Sequence, residues 1–215
     1  MVVKKAFLLI VFVGMTSVLQ GGQAQSRQEY PLNFVSAHHE AAHSVVAVLL
    51  ADRNKRFALY DTVVFLNASS DQSSGETRFY PKRKQELLPR ENIESLLCMI
   101  ITLMAGRAAE EILFNESDCC SADYALACKY ARDLECYAND YNFVFCFEDL
   151  IKDLIGEESN ISIYQGIQSD EIVNRCLDVS RQFLTHHTKL LERLATVLLN
   201  GKRLRAQEVK NILAL

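Results

Sequence analysis

His39-Glu40-Ala41-Ala42-His43 forms an HExxH pattern. On a helix, histidines four residues apart project from one face about one turn apart. That spacing lets two imidazoles hold one Zn²⁺ at about 2.0–2.1 Å. Glu40 sits beside the first of them, where its carboxylate can reach a water on the metal. Zinc lowers the pKa of such a water to about 7; Glu40 then takes its proton and later passes it to a leaving amine. The plainer reading of the same five residues is a surface helix with solvated histidines. His38 lies about 100° of helical rotation from His39 and should point off the metal face. A catalytic zinc also needs a third protein ligand and an open fourth position. Downstream, Glu110, Glu111, Asp118, Cys119, Cys120 and Asp123 all have suitable side chains, and spacing alone does not choose among them.

The elements that must position these groups are mostly helical. Ser36 is placed to cap a helix running to about Ala51. Phe57–Leu66 reads as a strand, and a polar stretch, Asn67–Glu76, leads to a second short strand at Thr77–Tyr80, giving a small antiparallel pair. Between Glu91 and Phe114, Ile93, Leu96, Leu97, Ile100, Ile101, Leu103 and Met104 fit a largely buried helix. It contains Ala105-Gly106-Arg107-Ala108-Ala109, a run of small residues that lets another helix approach closely. Asp123–Asn139 forms the next helix. Tyr141–Glu158, with Tyr141, Phe143, Phe145 and Phe147, fits strand or loop. Asp170–Asn200 is one long amphipathic helix or a bent pair stopped by Gly201, and Ala206–Leu213 is a terminal helix. The fold class is therefore mainly α with a small antiparallel β element.

The composition is globular: 215 residues, 49% hydrophobic and 23% charged, with 3 prolines and 8 glycines, which excludes disordered and collagen-like chains. The net charge of −4 supplies no basic face for nucleic acid, and the chain contains no GxxxxGK[ST] phosphate loop. Residues 1–24 read as an export signal, with Lys4 and Lys5 before the apolar run Ala6–Leu19 and small residues at Gly22 and Ala24. The expectation is a domain over 25–215, exported to a periplasmic or secreted location. The alternative is an uncleaved anchor that associates with the membrane and leaves the domain on its outer side. All seven cysteines lie between Cys98 and Cys176. Cys98, Cys128, Cys136 and Cys176 fall in helical segments, where a thiol is ordinary core filling, whereas Cys119-Cys120 falls in a loop.

The HExxH segment, then Ala105-Gly106-Arg107-Ala108-Ala109-Glu110-Glu111, then Asp123 followed by Ala127 and Ala131-Arg132, resembles the peptidase domain of the FtsH membrane-bound zinc proteases. Leu190-Leu191-Glu192-Arg193-Leu194-Ala195 through Leu198-Leu199, and Leu204 through Glu208-Val209, are similar to that family's closing helices. The resemblance runs from about Phe34 to Leu213. It implies a Zn²⁺ held by His39, His43 and Asp123, with Glu40 as general base and Glu110 and Glu111 in supporting or structural roles. The strand near Thr62–Leu66 resembles the family's edge strand, to which a substrate peptide would add. The implied activity is a zinc metalloendopeptidase acting on unfolded or flexible polypeptides, without the family's AAA ATPase half. The implied partners are a polypeptide substrate and either further copies of the chain or a separate AAA protein. A zinc-containing but catalytically silent binding or scaffold relative is the other class of reading. Three departures stand out: Ala42 where the family has Gly, Ser117-Asp118-Cys119-Cys120-Ser121 before Asp123, and Asn139-Asp140-Tyr141-Asn142-Phe143 after its helix. The two thiols are placed to ligate the metal, block its open position or join a disulfide.

Overall fold

Pro31 starts the central helix. Its carbonyl accepts from the amides of Phe34 and Val35 at 2.9 and 3.2 Å, so the helix begins at Leu32 and Ser36 lies inside it, its hydroxyl donating back to the Leu32 carbonyl at 2.8 Å. Ser36 is therefore not the cap, because a proline carbonyl five residues earlier already serves the first turn. The computed structural model describes residues 30–53, 57–64, 75–81, 89–115, 121–140, 145–146, 152 and 162–215. Residues 1–24, Cys119 and Cys120 lie outside the described residues.

Among the described residues the elements run α1 (Leu32–Arg53), β1 (Phe57–Val64), β2 (Gly75–Pro81), α2 (Pro89–Phe114), α3 (Ser121–Asp140), β3 (Phe145–Cys146), β4 (Ser162–Ile163), α4 (Ser169–His186), α5 (Thr188–Leu198), β5 (Leu204–Arg205) and α6 (Ala206–Leu213). The fold is mainly α with one small three-stranded antiparallel sheet and a two-residue β3–β4 pair. The stretch 170–200 is a bent pair: the amide of His187 bonds back to Phe183 and Leu184 while its own backbone leaves the helical region. Gly201, at φ 66°, closes α5 with a conformation that needs no Cβ. No helix among the described residues is long and apolar enough to cross a membrane.

Helix α1 is buried almost all round, packing against α2, β1, β2 and α5. Ala37, Ala41, Ala42, Val45, Val46 and Ala47 are fully buried, as are Leu97, Ile100, Met104, Ala105, Ala108 and Ala109 of α2. A helix that is apolar around its circumference belongs in a core, so the polar groups it carries need partners inside the protein. Cys98 and Cys176 are fully buried, and burial pushes the Cys176 thiol well up. Cys136 is exposed, so core filling does not describe it. None of Cys98, Cys128, Cys136 and Cys176 is in a disulfide.

Among the described residues the sheet order is β2-β1-β5, which makes β1 the central strand and β2 an edge. At Thr62 this corrects the expectation of an edge: Asp61 and Thr62 pair with Arg205 and Leu204 on the side away from β2, while Phe65 and Leu66 lie outside the described residues. A two-residue strand leaves no periodicity in the sequence, so β5 was not legible there. Thr62 stands directly opposite Thr77. A bulge falls between Leu59 and Asp61, and both of these residues are buried while Tyr60 is exposed. The Asp61 carboxylate accepts from Arg78 on β2 and, at 2.9 Å, from Arg203 beside β5. One carboxylate thus ties all three strands, and the Arg78 guanidinium holds its pKa below the usual range.

Candidate metal centre

Helix α1 presents His39, Glu40 and His43 to the interior, each at most 7% exposed. The His43 Nδ1 lies 2.6 Å from the Thr102 carbonyl on α2. A carbonyl can only accept, so Nδ1 carries a proton and Nε2 is the ring nitrogen turned inward. Likewise His39 Nδ1 donates to the Glu110 carboxylate at 2.6 Å, and Glu110 is itself buried. Both rings are thus held from behind in one tautomer and orientation, an arrangement typical of metal-binding histidines.

From the other side, α3 brings Asp123 in its first turn, where the helix N-terminus favours an anion. Its Oδ2 lies 3.1 Å from His39 Nε2 and 3.2 Å from His43 Nε2, and the two Nε2 atoms are 2.9 Å apart. Three atoms that offer lone pairs converge on one point, which is unfavourable unless a cation or a proton sits among them. Donors on a tetrahedral zinc at 2.0–2.1 Å stand about 3.3 Å from one another, close to the observed triangle. The donor set fits a divalent cation. Among the described residues, this is the group of His, Cys, Asp and Glu side chains close enough to share an ion.

Two glycines make the site sterically feasible. A Cβ on Gly106 would lie 2.5 Å from His39 Nε2, and one on Gly75 would lie 2.5 Å from Glu40 Cγ. The small-residue run in α2 therefore admits an imidazole as well as a helix. Gly75 belongs to β2, two residues before Thr77, whose hydroxyl donates to Glu40 Oε2 at 2.5 Å.

The electrostatics follow from this packing. Burial lowers the His39 pKa, but hydrogen bonds to Asp123 and Glu110 and the nearby Glu40 charge outweigh it, and the ring is pushed up to about 10. Burial would raise Asp123, yet His43 and His39 hold its carboxyl well below the carboxylate range. Burial also raises Glu40, against the opposing pull of His43, His39 and Thr77.

The sequence-expected residues are thus sorted by position. His39, His43 and Asp123 meet, with Glu40 beside them. Glu110 backs His39, whereas Glu111 is half-buried and pairs with Arg107 at 2.8 Å and with Arg181 of α4. His38 turns away to the Phe34 carbonyl at 2.8 Å and packs among Phe34 and Phe114. Asp118, Cys119 and Cys120 lie outside the described residues. Sequence reasoning missed Thr102, which acts through its backbone and so carries no side-chain signal. It also missed Gly75 and Thr77, which stand opposite Val64 and Thr62 in the β1–β2 register.

No family model matches the chain. Among curated proteins, the ATP-dependent zinc metalloprotease FtsH 4 of Sorangium cellulosum is 30% identical over 196 residues, covering 82% of this chain and 28% of that protein. FtsH of Lachnoclostridium phytofermentans is 25% identical over 185 residues, 83% of this chain and 29% of the relative. FtsH of Streptococcus pneumoniae is 35% identical over 97 residues, 45% of this chain and 14% of that protein. The chain spans less than a third of the length of each of these relatives.

Proposed function

This chain is an FtsH-like protease domain, and from that premise we propose that it is a zinc-dependent metalloendopeptidase cleaving unfolded or flexible polypeptides. The observation that carries the reading is the convergence of His39 Nε2, His43 Nε2 and Asp123 Oδ2 beside a buried carboxylate, Glu40. These three residues would hold the zinc, and Glu40 would be the general base. When bound, the ion would polarise the scissile carbonyl and make water acidic enough to lose a proton near neutral pH. Glu40 takes a proton from the attacking water on its Oε1 and returns it to the leaving amine. Its raised pKa suits both transfers, since a better base accepts more readily and its acid form still donates to an amine. Glu110 and the Thr102 carbonyl keep the imidazoles aimed. An extended peptide lying along the β2 edge passes Gly75 and Thr77, which stand against Glu40. Export through residues 1–24 remains part of this proposal.

Asp123→Ala is expected to lower zinc affinity by about a hundredfold or more while leaving the helical content unchanged, since only one of three ligands is lost. Competition with a chromophoric chelator and circular dichroism check the two halves. Should Cys119→Ser with Cys120→Ser abolish binding while Asp123→Ala does not, the third ligand is wrong.

Zinc affinity is expected to rise with pH. The metal-free His39 ring is protonated up to about pH 10, and the ion must displace that proton, so apparent affinity gains about tenfold per pH unit below that point. Without metal the sign for stability is opposite: the proton's contribution is full below 6.5, the ordinary histidine value, and is lost as pH rises through about 10. A flat affinity profile from about pH 7 to about pH 9 would contradict this charge arrangement.

The function is tested with a matched pair of substrates. Zinc-loaded protein is expected to cut an unfolded chain and to spare the same protein folded, with chelator abolishing cleavage and ATP adding nothing, since this chain carries no phosphate loop. Equal inertness toward a broad panel of unfolded chains at full zinc loading would favour the silent scaffold reading.

A further inference from the structure

The sheet reaches the base through a directed pair of hydroxyls. Thr62 and Thr77 are direct partners across β1 and β2, and their Oγ1 atoms are 2.8 Å apart. Thr62 is fully buried. The Thr77 Oγ1 lies 2.5 Å from Glu40 Oε2 and 3.2 Å from the Glu40 carbonyl. A threonine has one hydroxyl proton, and an ionised carboxylate can only accept. The Thr77 proton therefore goes to Glu40, and the bond between the two threonines must run from Thr62 to Thr77. Two residues earlier on the same face of β2, Gly75 leaves room for the Glu40 chain. Among the described residues, Thr77 is the side chain that donates to this carboxylate.

We infer that Thr77 is a positioning residue for Glu40, and that Thr62 fixes the direction in which the Thr77 hydroxyl donates. The inference rests on the peptidase reading for its kinetic consequence. Oε2 is engaged by β2, which leaves Oε1 as the oxygen that exchanges a proton. The hydrogen bond fixes the rotation of the carboxyl plane, which a buried side chain on a helix would otherwise set by packing alone. Because Thr77 lies on the edge strand, a peptide that orders this strand also orders the base.

Thr77→Val keeps the shape and removes the hydroxyl, whereas Thr77→Ser restores it. With zinc-loaded protein and a flexible fluorogenic peptide, Thr77→Val is expected to lose kcat about 10- to 100-fold with KM within about twofold, and Thr77→Ser to recover most of the loss. Zinc per chain should be the same in all three. Independently of activity, the infrared carboxyl band assigned to Glu40 by difference against Glu40→Gln should move in Thr77→Val and return in Thr77→Ser. Thr62→Val leaves the Thr77 hydroxyl but removes its donor; it should show a smaller kcat loss, and it carries the test if Thr77→Val does not fold. An unmoved band together with wild-type kcat in the valine variants would overturn the inference. A moved band in a protein whose wild type cuts no peptide would instead overturn the peptidase reading, with the hold of Thr77 on Glu40 intact.

Discussion

Glu40→Gln is expected to leave one zinc per chain and to reduce peptide hydrolysis by about 10²- to 10⁴-fold, the usual contribution of a positioned general base. The side chain does not belong to the converging triangle; its place is between that triangle and β2. An amide keeps the size of the carboxyl and can still accept from the Thr77 hydroxyl, so packing and metal affinity should survive. What it cannot do is take a proton from water at neutral pH. The comparison needs both proteins at the same zinc content, read by metal analysis before kinetics. Equal activity of the two would mean that Glu40 is not the base.

Gly106→Ala is expected to lower zinc affinity by about a hundredfold or more, against the trend for a helix interior. In an ordinary helix this change stabilises by about 1 kcal/mol. Here the new Cβ would fall 2.5 Å from His39 Nε2. The ring cannot retreat without giving up its 2.6 Å bond to Glu110, so either α1 moves off α2 or His39 leaves the triangle. Gly166→Ala serves as the control: that residue has a positive φ of 87° but nothing near its absent Cβ, so it should cost stability and leave zinc affinity alone. A Gly106→Ala variant that melts higher and binds zinc normally would contradict the seating of His39.

Much of this architecture was legible in the sequence because long periodic segments report their own burial. Ile93, Leu97, Ile100, Ile101 and Met104 announced α2, and all are buried; Ala206–Leu213 appeared with its observed bounds. The HExxH spacing was visible for the same reason, since it depends on local geometry, whereas Asp123 stood apart from Glu110, Glu111, Asp118, Cys119 and Cys120 only through the family resemblance. What escaped depended on contacts between distant elements. The strand Leu204–Arg205 is two residues long and exists only because β1 offers it an edge, where it covers Asp61 and Thr62. The start of α1 is not legible from Ser36, a common cap residue, because the Pro31 carbonyl accepts from the first-turn amides and Ser36 lies inside the helix. Thr77 reaches Glu40 only through the β1–β2 register, which hydrophobic pattern alone does not fix at a bulge. Glu110 and Glu111 are neighbours in sequence, yet one lies behind His39 and the other pairs across to α4; one residue of helical rotation separates those roles.

X-ray absorption at the zinc edge of the purified, stoichiometrically loaded protein reads the proposed centre most directly. Two imidazole nitrogens and oxygen donors at about 2.0–2.1 Å, with no sulfur, are expected from His39, His43 and Asp123. A sulfur shell at about 2.3 Å would contradict that ligand set and place a cysteine on the metal.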